Sequence, residues 1–389
     1  MHKTKIISSF LKPVGYCILL CIIKIKLLPK NSIYIDIDTN YLHWSSQLPA
    51  LSVCPIFLHS HKHEKNYHNF IQNLLRPADH YCFNCSRNNN LPENGYLRIV
   101  AKKLLPCNKL FSKCWLNAKL FDCCTRFKYL QTKDGVCYSA NSEMTESAKK
   151  FEVSFFSKEA NIEVETTKPI QIYLHEVRDV AFIKLQKGII ARRGFQLQVL
   201  FSVRETKSSS SIRWLSIKQR KCLLQGEKVL KGYRSYSSSA CLSQIAAEKQ
   251  NSVCGCTHHL LASRGTFRDC DIGGLKCLDQ NKERLHATDK NICLPSCEVI
   301  EPFIIWHRII KTKGNTTKVS FTLSSPPTER YIMKCKTDLI RNLAAIACLS
   351  RLFTKQSIVS VIKSLMPRRP SKITVIRSLR ETNHSAILY

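Results

Sequence analysis

Residues 220–297 read RKCLLQGEKVLKGYRSYSSSACLSQIAAEKQNSVCGCTHHLLASRGTFRDCDIGGLKCLDQNKERLHATDKNICLPSC. Eight cysteines fall in this stretch: Cys222, Cys241, Cys254, Cys256, Cys270, Cys277, Cys293 and Cys297. Between them stand fixed-looking landmarks: Arg220-Lys221-Cys222, Gly226-Glu227, Tyr236 ahead of Cys241, Gly274-Leu275-Lys276-Cys277 and Cys293-Leu294-Pro295-Ser296-Cys297. Thiols this dense are either oxidised or bound to metal. Cys254-Gly255-Cys256-Thr257-His258-His259 could supply zinc ligands, but zinc sites usually space paired cysteines by two residues rather than one. A disulfide ladder is therefore expected, and it places the stretch outside the cytosol.

Outward from there, the 389-residue chain holds twenty cysteines, sixteen of them from Cys54 to Cys297. That length accommodates two or three domains, or one large ectodomain with membrane anchors. An apolar content of 44% allows a proper core. The formal charge of +32 first suggests nucleic acid or an anionic membrane surface. The basic residues, however, are spread through every segment, without zinc-finger spacing, an RNA-recognition signature or a helix-turn-helix pattern. We expect no nucleic-acid partner and read the charge as a solvated surface. Nucleophile elbow, phosphate loop and paired carboxylates are all missing, so neither an enzyme nor a cofactor is expected.

Three further stretches carry pattern. Ile33 to Asp38 alternates with period two, as a strand does, and leads through Asp38-Thr39 and Tyr41 to Leu48-Pro49-Ala50-Leu51-Ser52-Val53-Cys54. Cys107 to Asn141 contains Cys114-Trp115, Cys123-Cys124, Phe127, Thr132, Gly135 and Cys137-Tyr138. From Phe151 to Arg220 the chain alternates like a sheet, with Ile170 to His175 followed by Glu176-Val177-Arg178-Asp179, then Phe195 to Val203, then Ile212 to Ile217. Taken with the cysteine-rich stretch, these segments resemble the degenerin/epithelial sodium channel (amiloride-sensitive sodium channel) family, most closely its insect pickpocket branch.

The resemblance implies an α+β fold: a β-rich palm and ball, a finger and a disulfide-laddered helical thumb, bracketed by two transmembrane helices. It implies a short cytoplasmic N-terminus and degenerate first span at 1–30, and a cysteine-rich extracellular domain at 31–336. Within that domain the finger would be 55–141, the palm strands 31–54 and 150–220, and the thumb 220–297. A degenerate second span at 337–366 and a basic cytoplasmic tail at 367–389 would complete the chain. The family pairings imply Cys54–Cys137, Cys222–Cys297, Cys241–Cys293, Cys254–Cys277 and Cys256–Cys270, with Cys114 bonded to Cys123 or Cys124. A further family rung has lost both partners, since its two slots hold Ile245 and Asn291. Joint loss points to a ladder still under folding selection. Family function implies a ligand- or stimulus-gated, amiloride-sensitive-type sodium channel subunit, with sodium ions as cargo, assembled as a homo- or hetero-trimer in the plasma membrane.

The two ends are less regular. Val14 to Ile23 is uninterrupted and apolar but short of the roughly 20 residues a span wants, with Lys24 and Lys26 behind it. It reads as an uncleaved anchor or as a signal-peptide core. Leu339 to Leu365 contains Arg341, Arg351, Lys355 and Lys363, each costing about 2.5–3.5 kcal/mol at a bilayer centre. Basic residues on the outer-chain sides of both segments keep both termini cytoplasmic. The family's Gly-x-Ser filter aligns to Leu352-Phe353-Thr354, or, with three extra residues, to Lys355-Gln356-Ser357. Neither restores the glycine, and Lys363 then stands where a glutamate is usual. A lysine ring would repel Na⁺ in a low-dielectric pore. A truncated gene product, a non-conducting or regulatory subunit and an unusual pore all fit.

Asn84-Cys85-Ser86 and Asn315-Thr316-Thr317 are N-glycosylation sequons in the extracellular part. His59, His61, His63 and His68 are read as solvated, and His175 as a structural histidine at a strand end. From a different class, the alternative is a secreted or membrane-tethered disulfide-rich binding protein derived from such an ectodomain.

Overall fold

Strand β1, Ile33–Asp38, is the period-two alternation made regular, and it pairs antiparallel with β15, Arg330–Cys335, so that Ile33 faces Cys335. The computed structural model describes residues 33–56, 105–132, 135–145, 150–156, 160–181, 188–261, 267–286 and 292–336. They belong to one compact unit, residues 31–336. Both expected spans, the filter candidates Leu352, Phe353, Thr354, Lys355, Gln356 and Ser357, Asn84 and the four histidines of 59–68 lie outside them. Among the described residues no helix is long and apolar enough to cross a membrane.

Two sheets carry the core. The larger contains β4 (Phe111–Leu116), β5 (Lys119–Phe121), β9 (Asn161–Thr166), β12 (Phe195–Ser208), β13 (Val299–Lys311) and β14 (Thr317–Leu323) together with β1 and β15. Its order is β1-β15-β12-β14-β9-β4-β5, with β13 on the other edge of β12. The smaller runs β11-β10-β3-β7-β6, comprising Ile189–Ala191, Ile170–His175, Ala50–Pro55, Gly135–Ala140 and Lys128–Thr132 in that order. Ser45–Gln47 (β2) and Glu152–Ser154 (β8) form a separate pair. One apolar cluster draws on both sheets: Leu51, Val53, Ile170 and Ile172 from the smaller, Leu197, Val199, Phe201, Val319 and Phe321 from the larger. These residues sit at every second position of their strands, which is why alternation was the right signal for them.

Strand β12 organises the rest. Along one edge it pairs antiparallel with β13, and along the other it pairs parallel, first with β14 and then with β15. Strand β13 is therefore an edge. Its register slips by one residue where Leu200 faces Trp306 and Phe201 faces Ile304, leaving Ile305 as the extra residue of a bulge. Phe303, Ile304, Ile305, Trp306 and Ile309 are all exposed along it.

The longer helices lie between β12 and β13 in the chain. Helix α4, Ser238–Cys254, is capped by Ser237, whose hydroxyl accepts from the Ala240 amide, and ends at Gly255 in the left-handed region (φ 67°). Helix α5, Ile272–Gln280, is capped by Asp271, which accepts from the Gly274 amide at 2.8 Å, and α6, Lys282–His286, follows. Short helices at Cys107–Leu110 (α1), Cys123–Arg126 (α2) and Ile217–Arg220 (α3) complete the set. One expectation fails locally. Ile212 to Ile217 is not a strand: Ser210–Trp214 is a 3₁₀ turn, started by the Ser209 hydroxyl accepting from the Ser211 amide, and α3 begins at Ile217. The serine run offers the backbone local acceptors that compete with strand pairing.

Candidate functional site: the base of the disulfide ladder and its ties to the sheets

Four disulfides fasten the helical region. Cys222–Cys297, Cys241–Cys293, Cys254–Cys277 and Cys256–Cys270 close separations of 75, 52, 23 and 14 residues, each bridge nested in or beside the next. Gly274 has a physical reason here. A Cβ at that position would lie 2.4 Å from Cys256 Sγ and 2.9 Å from Cys270 Cβ, so only glycine lets α5 pass the Cys256–Cys270 bridge. Ile245, in one slot of the missing rung, packs against a second apolar cluster of Leu223, Leu230, Tyr236, Ala240, Cys241 and Cys293. Asn291, its counterpart, lies outside the described residues. Cys254 and Cys256 are committed to separate bridges, and among the described residues no His/Cys/Asp/Glu group could hold a metal. His258 and His259 stack with ring centroids 4.2 Å apart in the interior, and burial pushes His258 down to about 4.

Below the ladder, the landmarks Arg220 and Glu227 form one device. Arg220 is buried, donates from Nε to the Cys222 carbonyl at 3.1 Å and pairs with Glu227. Glu227 also accepts from the Leu224 amide at 2.8 Å, and the Leu223 and Cys297 backbones bond across the base. Partial burial raises the Glu227 carboxyl, but the Arg220 hydrogen bond, the Leu224 amide and nearby arginine charge outweigh it and hold the group below its usual range.

From the smaller sheet, the turn after β10 reaches into this base. Arg178 pairs with Glu176 at 2.9 Å and donates from Nη2 to the Glu298 carbonyl, while Glu298 accepts from Ser208 Oγ at 2.5 Å. Asp179 accepts from Ser239 Oγ on α4 at 2.8 Å, and Ser239 Oγ in turn accepts from the Val180 amide at 2.9 Å. Burial pushes Glu176 up to about 7, against the pull of Arg178. Arg178 also walls two cavities. The one of about 310 Å³ is lined by Glu143, Glu152, Glu205 and Glu298 with Lys207, and the one of about 210 Å³ by Lys228, Tyr233 and Arg234.

Two buried polar knots hold the sheets themselves. His175 Nδ1 lies 2.8 Å from the Glu176 carbonyl, which can only accept, so Nδ1 carries the proton of the neutral ring. Nε2 then accepts from the Ser52 hydroxyl at 2.7 Å, and Ser52 Oγ stands 3.0 Å from Ser139 Oγ. Burial lowers the pKa of His175. The pair resembles a nucleophile and its base, yet Ser52 and His175 are 0% and 1% exposed and Nδ1 meets a carbonyl rather than a carboxylate. It is a structural knot. The second knot is Glu205 on β12, whose Oε2 accepts from Arg330 Nε at 2.9 Å, Arg330 Nη2 at 2.8 Å and Ser46 Oγ at 3.0 Å. Arg330, at the start of β15, also stacks 4.2 Å over the Trp44 ring and donates to the Ser45 carbonyl. Polar links thus join α4 and the base of the ladder to the turn after β10 and to β12, and a separate pair joins β12 to β15, the last described strand before residue 337.

In the smaller sheet, Cys54 bonds Cys137 where the strands β3 and β7 face each other. Of the two partners left open for Cys114, the structure has Cys123, and Cys124 bonds Cys107. Sequence reading drew no bond to Cys107. Its signal was the N-cap: Asp122 accepts from the Cys124 amide and starts α2, and the helix points the adjacent cysteines at different partners. Arg178, Glu298, Glu205 and Arg330 were also missed, since charged residues far apart in the chain give no sequence sign of burial together. Asn315 is exposed at the tip of the β13–β14 loop.

No curated protein gives a significant match. A cryo-EM structure of a proton-activated chloride channel aligns over 94% of this chain and 99% of its own at 7% identity, with a TM-score of 0.22. The family model for the amiloride-sensitive sodium channel matches residues 7–332, from ahead of β1 to within β15, and spans the ladder, its base and both polar knots. The chain belongs to the amiloride-sensitive sodium channel family.

Proposed function

We propose that the chain is one subunit of a ligand- or stimulus-gated sodium channel, with residues 31–336 outside the cell, both termini cytoplasmic, and the helical thumb as the element that senses the stimulus. The observation that carries this is a pair of ties meeting on β12: Ser239–Asp179, Arg178–Glu298 and Ser208–Glu298 fasten the helical region to the turn after β10 and to β12, and Glu205–Arg330 fastens β12 to β15, so a shift of the thumb against the palm must break or move the first set. Strand β13 supports assembly with other subunits in the plasma membrane. A long apolar edge exposed on both faces is a pairing and aggregation hazard unless another chain covers it. A trimer, homomeric or with other channel subunits, is the assembly we adopt from the family.

One observation favours a non-conducting or regulatory role within that assembly. No glycine stands in the filter slot under either alignment, and Lys363 replaces the usual glutamate. Voltage clamp of cells expressing the chain, alone and with other family subunits, tests both readings. We expect no current alone, and an altered amplitude or amiloride block when a conducting subunit is co-expressed. Surface-delivered chain that neither conducts nor changes any partner's current would remove the proposal. Surface biotinylation with N-terminal sequencing checks the topology, because retention of residues 1–28 fits an anchor and cleavage near residue 30 fits the secreted alternative.

A further inference from the structure

Thr317 opens β14 on the row that faces the core: residues 317, 319, 321 and 323 are all buried, and the other three are Val319, Phe321 and Leu323. Its side chain is 0% exposed, and its hydroxyl has no hydrogen-bond partner. Burying an unpaired hydroxyl is destabilising, and valine has the same shape, the same β-branching and no polar atom to desolvate. The folded protein therefore gains nothing from a hydroxyl at 317. Two residues earlier, Asn315 stands exposed at the tip of the β13–β14 loop. That tip is braced by the Thr312 amide donating to the Gly194 carbonyl at 2.8 Å and the Gly194 amide donating to the Thr316 carbonyl at 3.0 Å.

We infer that Thr317 keeps its hydroxyl for recognition before folding, and that Asn315 carries an N-linked glycan added while β14 is still outside the sheet. The inference rests on the extracellular placement of residues 31–336. The donor is a polyprenyl-diphosphate-linked oligosaccharide of the secretory pathway. The Asn315 side-chain nitrogen forms a bond to the anomeric carbon, the bond from that carbon to the diphosphate oxygen breaks, the lipid diphosphate leaves, and the nitrogen loses one proton to base. The transferase reads Asn-x-Thr through the threonine hydroxyl. Once β14 has paired with β9 and β12 that hydroxyl is out of reach, so the order of events is transfer first and sheet closure second.

The test uses the full chain expressed in cells with a secretory pathway, comparing wild type with N315Q, T316V and T317V, each with and without N-glycosidase. We expect N315Q and T317V to lose the same single mobility step, T316V to keep it, and T317V to melt no lower than wild type. Retention of the step in N315Q overturns the site. A clearly lower melting temperature for T317V overturns the argument from the idle hydroxyl. Thiol alkylation of the same wild-type sample separates the two layers. Oxidised Cys222 and Cys297 with an unmodified Asn315 sinks this inference alone, whereas reduced cysteines with no glycan sink the extracellular reading with it.

Discussion

Replacing Arg330 with methionine strands a carboxylate. Glu205 is 4% exposed and its Oε2 takes three donors, two of them from Arg330. Breaking one side of a buried pair costs about 3–5 kcal/mol, chiefly because the remaining charge is left without compensation. Lys207, 3.2 Å from Glu205 Oε1 and half-exposed, recovers part of this, while loss of the stack over Trp44 takes back about 0.5–2 kcal/mol. The expected net is about 3–4 kcal/mol, a fall in Tm of roughly 6–8 °C for a domain of this size. Tryptophan fluorescence during thermal melting of the detergent-solubilised full chain reads it, with Trp44 beside the altered residue as reporter. E205Q/R330M should recover about 2 kcal/mol relative to R330M, because a neutral amide still accepts from Ser46 and no longer needs a cation. A coupling under about 0.5 kcal/mol would refute the view that this pair binds β15 to β12.

Gly274→Ala should leave α5 intact but open the Cys256–Cys270 bridge or displace it, at about 1–3 kcal/mol of overpacking, and alkylation mapping should find Cys256 and Cys270 newly reactive. Cys222→Ser/Cys297→Ser removes closure of a separation of 75 residues, worth about 4.5 kcal/mol through the unfolded chain, and should cost more than loss of Cys256–Cys270, at about 3 kcal/mol; equal Tm losses would contradict the chain-entropy account. Two buried groups give opposite pH dependences. His258, held down at about 4, costs stability as pH falls from 6.5 toward 4, by about 3 kcal/mol in full, so H258Q should melt with a flatter acid limb. Glu176, raised to about 7, favours its protonated form in the fold; its contribution is complete below pH 4.5 and lost as pH rises through 7, so E176Q should flatten that limb instead. Thermal melts of each variant from pH 4 to 8 check both signs.

The cysteine order of 220–297 was legible because disulfide spacing is a one-dimensional record of a three-dimensional constraint. Arg220, Glu227 and Gly274 were visible only as landmarks. Their reasons, a salt bridge under the ladder and a backbone so close to the Cys256–Cys270 bridge that an added Cβ would meet its sulfur, are distances that no spacing encodes. Cys107 and Cys124 escaped because two adjacent cysteines offer the same spacing to either partner, and a single N-cap decided between them. The alternation at Ile212 to Ile217 misled because the local serine acceptors outcompeted the period.

The geometry of β12 and β13 bears on how the family diversifies. Thr206 faces Val299, so the polypeptide departs at Ser208 and returns beside the same point after the whole helical excursion. A cassette whose two ends coincide can be lengthened or traded without changing the register of the scaffold that hosts it, as long as its contacts to Arg178 and Asp179 are kept. Sequence change can collect in that excursion while the paired strands at its two ends stay as they are.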